Sequence, residues 1–290
     1  MKAFVTGALG QLGQDLRPLL GADTVWTDRT AQTELGIEML DITVEAAVHT
    51  AIEAAKPTVV FHCAAYTNVD GAETDEVTAR TVNVDGTRSV AEAAQLVGAK
   101  LVVLSTDYVF DGETNRPYRE TDHPNPLSVY GQTKLEAERV ALAACQKTFI
   151  VRTAWLYGPK TAVAPVKNFP QTMKKLATER SAINVVNDQI GSPTFTTDLA
   201  AAMIKLADTV DYGLWHITNS GHATWYDFAR EILKDEIASG KVTVKPIPTT
   251  DYLTPAKRPK YSVLDTTMFS ETFGPLRPWY EALAEYLVAI

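Results

Sequence analysis

Lys2-Ala3-Phe4-Val5-Thr6-Gly7-Ala8-Leu9-Gly10-Gln11-Leu12-Gly13 decides the fold. A short apolar run, Lys2–Thr6, breaks into glycines at 7, 10 and 13, and an apolar helical pattern follows. Between a strand and a helix, Gly7 permits the tight turn, Gly10 lets the backbone approach a phosphate, and Gly13 allows close helix–strand packing. The free N–H groups at a helix start attract an anion. Gln11 and Leu12 therefore join the three glycines as candidate ligands of a pyrophosphate.

Working outward, strand-like and helix-like segments alternate. Thr24–Thr27 is extended, and Thr43–Ala55 is helical and closed by Pro57. Thr58–Cys63 reads as a buried strand. Helical stretches at Glu73–Thr81 and Val84–Val97 follow, with Gly98 as the stop. Lys100–Ser105 and Thr148–Arg152 are strands on either side of a long helix, Val129–Cys145. Short, continuously apolar strands separated by helices imply a parallel sheet covered on both faces. Right-handed crossovers make that a doubly wound, Rossmann-like α/β fold.

Beyond about residue 155 the pattern loosens. Gly158–Val166 is expected as loop, with a helix near Phe169–Thr178 and strands at Ile183–Val186 and Leu214–Ile217. Thr224–Ala238 is helical. Lys245–Pro259, with prolines at 246, 248, 255 and 259, is expected to be mostly extended or loop. Pro278–Ile290 closes the chain as an amphipathic helix. The expected division is a dinucleotide-binding domain over 1–155, with strands returned from about 183–220. Residues 156–290 then form mainly a smaller, interleaved substrate-binding lobe.

Composition narrows the function. The 290 residues are 46% hydrophobic and 21% charged, an ordinary globular balance that excludes fibrous and disordered classes. Lys+Arg number 27 against 35 Asp+Glu, a net charge of −8 that disfavours a nucleic-acid partner. Cys63 and Cys145 are too few for a disulfide framework or a structural zinc site. No apolar run approaches the roughly 18 residues of a membrane span, and no signal segment precedes the glycine loop. The expectation is a cytoplasmic protein with no membrane partner. The histidines are scattered, and Trp215, Trp225 and Trp279 read as core aromatics.

Two further places carry chemistry. Asp28 lies about 20 residues beyond Gly7, where an acidic side chain meets the adenosine ribose of NAD. Its neighbour Arg29 suits the 2′-phosphate of NADP, so the cofactor choice stays open. Asp41, followed by Ile42, is placed either against the adenine or as a helix N-cap. Tyr130 and Lys134 stand one helical turn apart on the long helix and share a face. A nearby cation favours the phenolate and brings the tyrosine toward working pH. The phenol can then protonate a carbonyl oxygen as hydride reaches its carbon, a step worth about 10²–10⁴ in rate. A third, hydroxyl-bearing member should lie at the end of the fourth strand, where Ser105 and Thr106 both qualify.

With these motifs on the page, the sequence closely resembles the dTDP-4-dehydrorhamnose reductases, extended short-chain dehydrogenases/reductases. The shared segments are TGALGQLG at 6–13, CAAYTNVDGAE at 63–73, NVDGT at 83–87 and STDYVFDG at 105–112. YGQTK at 130–134, RTAWLYG at 152–158, NDQIGSPT at 187–194 and RPKYSVLD at 258–265 continue the match. The resemblance implies Thr106, Tyr130 and Lys134 as the catalytic set, with Lys134 also holding the nicotinamide ribose. It implies that Cys63, Ala64, Ala65 and Tyr66 line the cofactor, NADPH or NADH. Val69, Asp70, Asp107, Tyr108 and Trp155 would face the sugar. Arg258 and the 188–194 loop would hold the nucleotide diphosphate, and Asn83 would help place the catalytic loop.

The implied reaction reduces the C4 ketone of a dTDP-linked 4-keto sugar. Nucleotide-sugar dehydratases carry an Asp-Glu pair after the threonine, because elimination needs an extra acid and base. This chain has Asp107-Tyr108. Some members of the family hold Mg²⁺ by carboxylates between subunits, which places one ligand near Asp15, but no motif such as H-E-x-x-H supports a metal. A homodimer is the assembly open to such a chain. Two other readings stand beside the leading one: a dinucleotide-binding regulatory subunit like those of methionine adenosyltransferase, and a reductase of another nucleotide-linked keto sugar.

Overall fold

The computed structural model describes residues 1–158 and 168–289. The strands are β1 Ala3–Thr6, β2 Val25–Asp28, β3 Ile37–Met39, β4 Val59–His62, β5 Lys100–Thr106, β6 Thr148–Thr153 and β7 Leu156–Tyr157. They continue as β8 Ala182–Val186, β9 Ile190–Gly191, β10 Thr194–Phe195, β11 Gly213–His216, β12 Ala223–Thr224 and β13 Thr243–Ile247. The helices are α1 Gln11–Leu16, α2 Glu45–Ala55, α3 Val69–Ala72, α4 Glu76–Arg80, α5 Gly86–Leu96 and α6 Val129–Ala144. After them come α7 Phe169–Glu179, α8 Thr196–Ala207, α9 Trp225–Ile232, α10 Lys234–Ala238, α11 Thr267–Phe273 and α12 Trp279–Val288.

Seven strands form one parallel sheet in the order β11-β6-β5-β4-β1-β2-β3. Alternation along each strand sends side chains to opposite faces. Val5, Phe61, Val102 and Phe149 pack with Leu12 and Leu16 of α1 and Leu199 and Met203 of α8. Phe4, Val60, Leu101 and Ile150 pack on the other face with Val48, Ile52, Val90 and Ala141. Both faces are therefore apolar and covered, as the unbroken hydrophobic strands demand. A separate cluster of Tyr157, Ile183, Phe195, Phe228, Leu283 and Tyr286 forms the core beneath the later segments.

Several segments differ from the expectation. Of the segments near 183–186 and 214–217, β11 returns to the main sheet, while β8 pairs with β13 in a two-stranded sheet. The strand β13 runs into the start of the proline-rich stretch expected to be mostly extended or loop. Pro246 is tolerated there because an edge strand can do without one N–H. The stretch Glu73–Thr81 is not one helix. Asp75 caps α4 by accepting the Thr78 N–H at 3.2 Å, and a π-turn at Thr81–Asp85 runs on into α5. Thr224 opens α9 in a capping box with Asp227, and the helical run divides at Leu233. The strand β3, the helix α8 and the helix α11 were not read from the sequence. The loop expected at Gly158–Val166 lies, beyond Gly158, outside the described residues, as does the expected helix end at Ile290. No helix among the described residues is long and apolar enough to cross a membrane.

Phe61 is fully buried in the centre of β4. Truncation to alanine removes a ring that the close-packed sheet cannot refill. Phe61→Ala is expected to cost about 3–5 kcal/mol in urea unfolding; a loss under about 1 kcal/mol would contradict this packing.

Candidate active site

The strands β1 and β4 are neighbours, with Thr6 opposite His62. After β1 the chain enters α1 on one face of the sheet, whereas after β4 it reaches α5 on the other. The crevice at such a switch point is where ligands of open α/β sheets bind. Gly7 turns the chain at φ +72°, and a Cβ there would lie 2.6 Å from the Ala64 nitrogen. A glycine is thus required for the loop to rest on the 63–64 segment. No side chain caps the first turn of α1, so Gln11, Leu12 and Gly13 present its N–H groups at the crevice. This bare backbone cradle fits a dinucleotide pyrophosphate.

Asp28 accepts the Leu9 N–H at 2.9 Å, so one carboxylate oxygen braces the glycine loop. Arg29 is exposed, and its charge is among the influences on Asp41. Asp41 accepts from the Thr43 backbone at 2.9 Å and from its hydroxyl at 2.7 Å. These bonds hold its carboxyl below the usual range in a local turn ahead of α2, whose N-cap is Val44 and not Asp41. Ile42 is buried against Gly86. Asn83, in the π-turn, accepts the Tyr66 N–H at 2.8 Å and donates to Thr133 of α6 at 3.0 Å. It ties the 64–66 segment to that helix.

Ser128 caps α6 by accepting the Gly131 N–H at 3.2 Å. Lys134 is buried, and its ammonium donates to the Leu104 carbonyl at 2.7 Å. Burial lowers Lys134 to about 8, opposed by the Glu138 carboxylate. Tyr130 is pushed up to about 12 by burial, while the neighbouring Thr106 hydroxyl acts the other way. The Tyr108 ring meets Tyr130 edge-on at 6.0 Å and 79°. Thr106 donates to Asp107 at 3.1 Å and accepts the Tyr108 N–H at 3.2 Å. The second oxygen of Asp107 is buried with no hydrogen-bond partner among the described residues, and burial pushes this carboxyl up to about 7. Phenol, hydroxyl and carboxyl thus converge beyond β5, with the ammonium behind them.

Two outcomes bear on the reading of the sequence. First, the side chains of Ser105 and Thr106 part company: Ser105 points inward and donates to Glu138 at 2.5 Å, leaving Thr106 beside the phenol. Second, burial dominates Tyr130, so the phenol keeps its proton near neutral pH. The arrangement suits an acid better than a preformed phenolate.

On the far side, Arg258 forms a two-pronged ion pair with Asp70 at 2.8 and 3.2 Å and also bonds Thr254. Asp70 follows Val69 at the start of α3, so the pair bridges that helix and the 254–258 segment. Trp155 adopts φ +47°, a costly conformation for a bulky residue. Its indole stacks on Trp225 at 3.5 Å and 7°, and a Cβ at Gly191 would lie 2.5 Å from its Cε2. Trp225, read as a core aromatic, is half-buried and supports Trp155. Gly191, quoted only as part of a motif, is the close approach that lets the indole lie there. Asp188 accepts the Thr249 N–H at 2.9 Å and its hydroxyl at 2.6 Å, a structural brace for the loop expected to hold a diphosphate.

Metal candidates lie elsewhere. Asp15, on α1, is buried, and burial raises its carboxyl against the opposing influence of Thr196 and Thr197 on α8. That environment suits a protonated acid and does not fit Mg²⁺. Among the described residues, Glu45, His49 and Glu92 alone come close enough to share an ion, on α2 and α5 away from the crevice. The sequence reading missed Glu138 and Arg152, which pair at 2.6 Å behind Lys134. The signals were available: Glu138 is one turn beyond Lys134, and Arg152 sits in an otherwise uncharged strand.

Comparison with known proteins gives a consistent picture. The sequence model of the family described as RmlD substrate binding domain matches residues 1–290. The chain is 44% identical over 297 residues to a Streptomyces griseus protein named dTDP-4-dehydrorhamnose reductase, covering 99% of this chain and 93% of that one. It is 40% identical over 294 residues to a Streptomyces antibioticus protein named probable dTDP-4,6-dihydroxy-2-methyloxan-3-one 4-ketoreductase, covering 98% and 94%. The crystal structure of dTDP-4-dehydrorhamnose reductase from Bacillus anthracis in complex with NADP superposes with a TM-score of 0.90, at 40% identity and full coverage of both chains.

The indole pair yields a test. A methyl group at position 191 must displace Trp155. Gly191→Ala is expected to abolish most of the coupled near-ultraviolet circular dichroism of the stacked indoles while thermal unfolding stays cooperative. An unchanged spectrum would remove Gly191 from the support of Trp155.

Proposed function

The chain belongs to the RmlD family, and from that premise we propose how its residues reduce the C4 ketone of dTDP-4-dehydro-β-L-rhamnose to dTDP-L-rhamnose. It is an NAD(P)H-dependent oxidoreductase of the extended short-chain type. The observation that carries the reading is the half-buried Tyr130 beside Thr106 at the mouth of a dinucleotide crevice, with Lys134 one turn along.

Gly7, Gly10, Gln11, Leu12 and Gly13 would hold the cofactor pyrophosphate, with Asp28, Arg29, Asp41 and Ile42 toward the adenosine and Cys63–Tyr66 along its length. When bound, the reduced nicotinamide supplies hydride to the ketone carbon. Tyr130 then gives its proton to the oxygen that becomes the hydroxyl, and Thr106 hydrogen-bonds the same oxygen. Lys134, charged below about pH 8, faces the negative charge left near the phenol and holds the nicotinamide ribose. Tyr108 and Trp155 shape the sugar pocket, with Val69 and Asp107 beside them. Arg258 would take the diphosphate, exchanging its bonds to Asp70 for bonds to phosphate oxygens. The place of action we infer is the cytoplasm.

A second dTDP-linked keto sugar remains a reading with its own support, because the Streptomyces antibioticus relative carries a different substrate in its name. Loss of NADPH absorbance on adding each dTDP-linked ketosugar distinguishes the two. Steady absorbance with tight cofactor binding would favour the regulatory-subunit reading.

Tyr130→Phe removes only the proton donor. It is expected to lower kcat by about 10²–10⁴ and leave NADPH affinity within about twofold; near-normal turnover would refute the assignment. The pH profile follows from the burial of the site. Asp107 is raised to about 7, and Lys134 lowered to about 8. As pH rises, an anion appears beside the developing oxyanion and then the cation is lost, so kcat/KM should be highest below pH 7 and fall in both steps. Asp107→Asn should retain the fall near 8 and lose the one near 7, and a profile flat from 6 to 9 would contradict these environments.

A further inference from the structure

Two ionisable side chains lie inside the molecule and take no part in the chemistry above. Arg152 of β6 and Glu138 of α6 are each only 3% exposed. Arg152 Nε and Nη2 donate to the two Glu138 oxygens at 2.8 and 2.6 Å. Ser105 adds a third bond to the same carboxylate, at 2.5 Å. The guanidinium lies over the Phe110 ring at 5.0 Å and reaches His216 Nε2 at 3.5 Å. Burial keeps His216 neutral, so its Nδ1–H donates to the Tyr118 carbonyl at 3.0 Å and Nε2 accepts from Arg152. One line of polar contacts therefore joins the tips of β5, β6 and β11 to helix α6.

Burying a charge pair is seldom the cheapest route to stability, since a well-packed apolar pair of equal volume is often as good or better. What the pair does uniquely is directional. Glu138 is one turn beyond Lys134 and two beyond Tyr130, on the face of α6 turned to the sheet. Its Ser105 partner is the neighbour of Thr106. We propose that the Glu138–Arg152 pair positions the catalytic groups, fixing the rotation of α6 against the tip of β5 so that Tyr130, Lys134 and Thr106 meet. Glu138 and Arg152 are positioning residues, and this role rests on the reading that those three groups carry the reduction.

The carboxylate also acts through its charge. Lys134 is faced by His62 of β4, by Cys63 just beyond it and, from its own helix, by Glu138. Asp107 lies beyond β5 beside Tyr130, and Arg152 lies behind Glu138 from β6. Among these, Glu138 is the anion that opposes the burial of the ammonium. Removing it leaves Arg152 positive nearby, and both changes favour neutral lysine.

The experiment compares the wild type with Glu138→Gln and with the charge-free Glu138→Gln/Arg152→Met protein. The readouts are turnover of the dTDP-linked ketosugar and NADPH affinity across pH. The single variant is expected to lose about tenfold in kcat with KM changed by less than about twofold. The pH at which it loses NADPH affinity should fall by about one unit. The double variant should unfold at or above the wild-type temperature, yet keep the lowered kcat and a downward shift smaller than that of the single variant. A purely structural role would move stability and leave the pH limb in place. If the single variant fails to fold, the double variant decides. A folded double variant with wild-type kcat and pH limb overturns the proposal. Wild-type protein that binds NADPH and ignores the ketosugar would overturn the preceding reading instead, while the cofactor titration still decides the ion pair.

Discussion

Between β1 and β4 the chain changes the face of the sheet on which it travels. The polypeptide leaving β1 covers one face through α1, and the polypeptide leaving β4 covers the other through α5. Neither helix can roof the strand tips between them, so a crevice is unavoidable. The rest of the site follows from that gap. The glycine loop lies on Ala64 because the two tips are adjacent, and Asp28 is near enough to brace it. The next strand outward, β5, brings Thr106 to the same rim, and α6 returns beside it with Tyr130 and Lys134.

Depth then sets the protonation of each group. In water a tyrosine and a lysine would differ little in acidity. Inside this crevice burial moves them apart, the phenol up and the ammonium down. The first is kept as an acid and the second becomes responsive to its neighbours. Asp107 is carried the same way as the phenol, and its unpartnered oxygen leaves a polar atom available to a ligand. The polar groups at the rim are therefore tuned by how thoroughly the sheet and α6 exclude water, with hydrogen bonds as corrections.

Local spacing was legible where local geometry decides the outcome. The three glycines after β1 and the i,i+4 pair of Tyr130 and Lys134 belong to single elements, and the central sheet strands announced themselves by unbroken apolar runs. What the sequence left open depends on partners far along the chain. Ser105 and Thr106 have similar hydroxyls, and only the presence of Glu138 on a packed helix turns the first inward. Nothing near Arg258 in the chain names its partner, Asp70, which is distant in sequence. Helix α8 escaped because its alanines are buried on several sides, which blurs an amphipathic period. Strand β3 is three residues long with Met39 exposed, too short for alternation to register.

One feature of the smaller sheet bears on how the molecule behaves in a crowded solution. The strand β13 pairs with β8, while Lys245 and Pro246 are exposed along it. Proline has no N–H to offer an incoming strand, and a lysine charge repels close approach of its like. The rim of this two-stranded ribbon is thereby blunted against stacking onto copies of itself. A replacement of Pro246 that strengthened the ribbon locally would also open a seam along which chains could associate irreversibly.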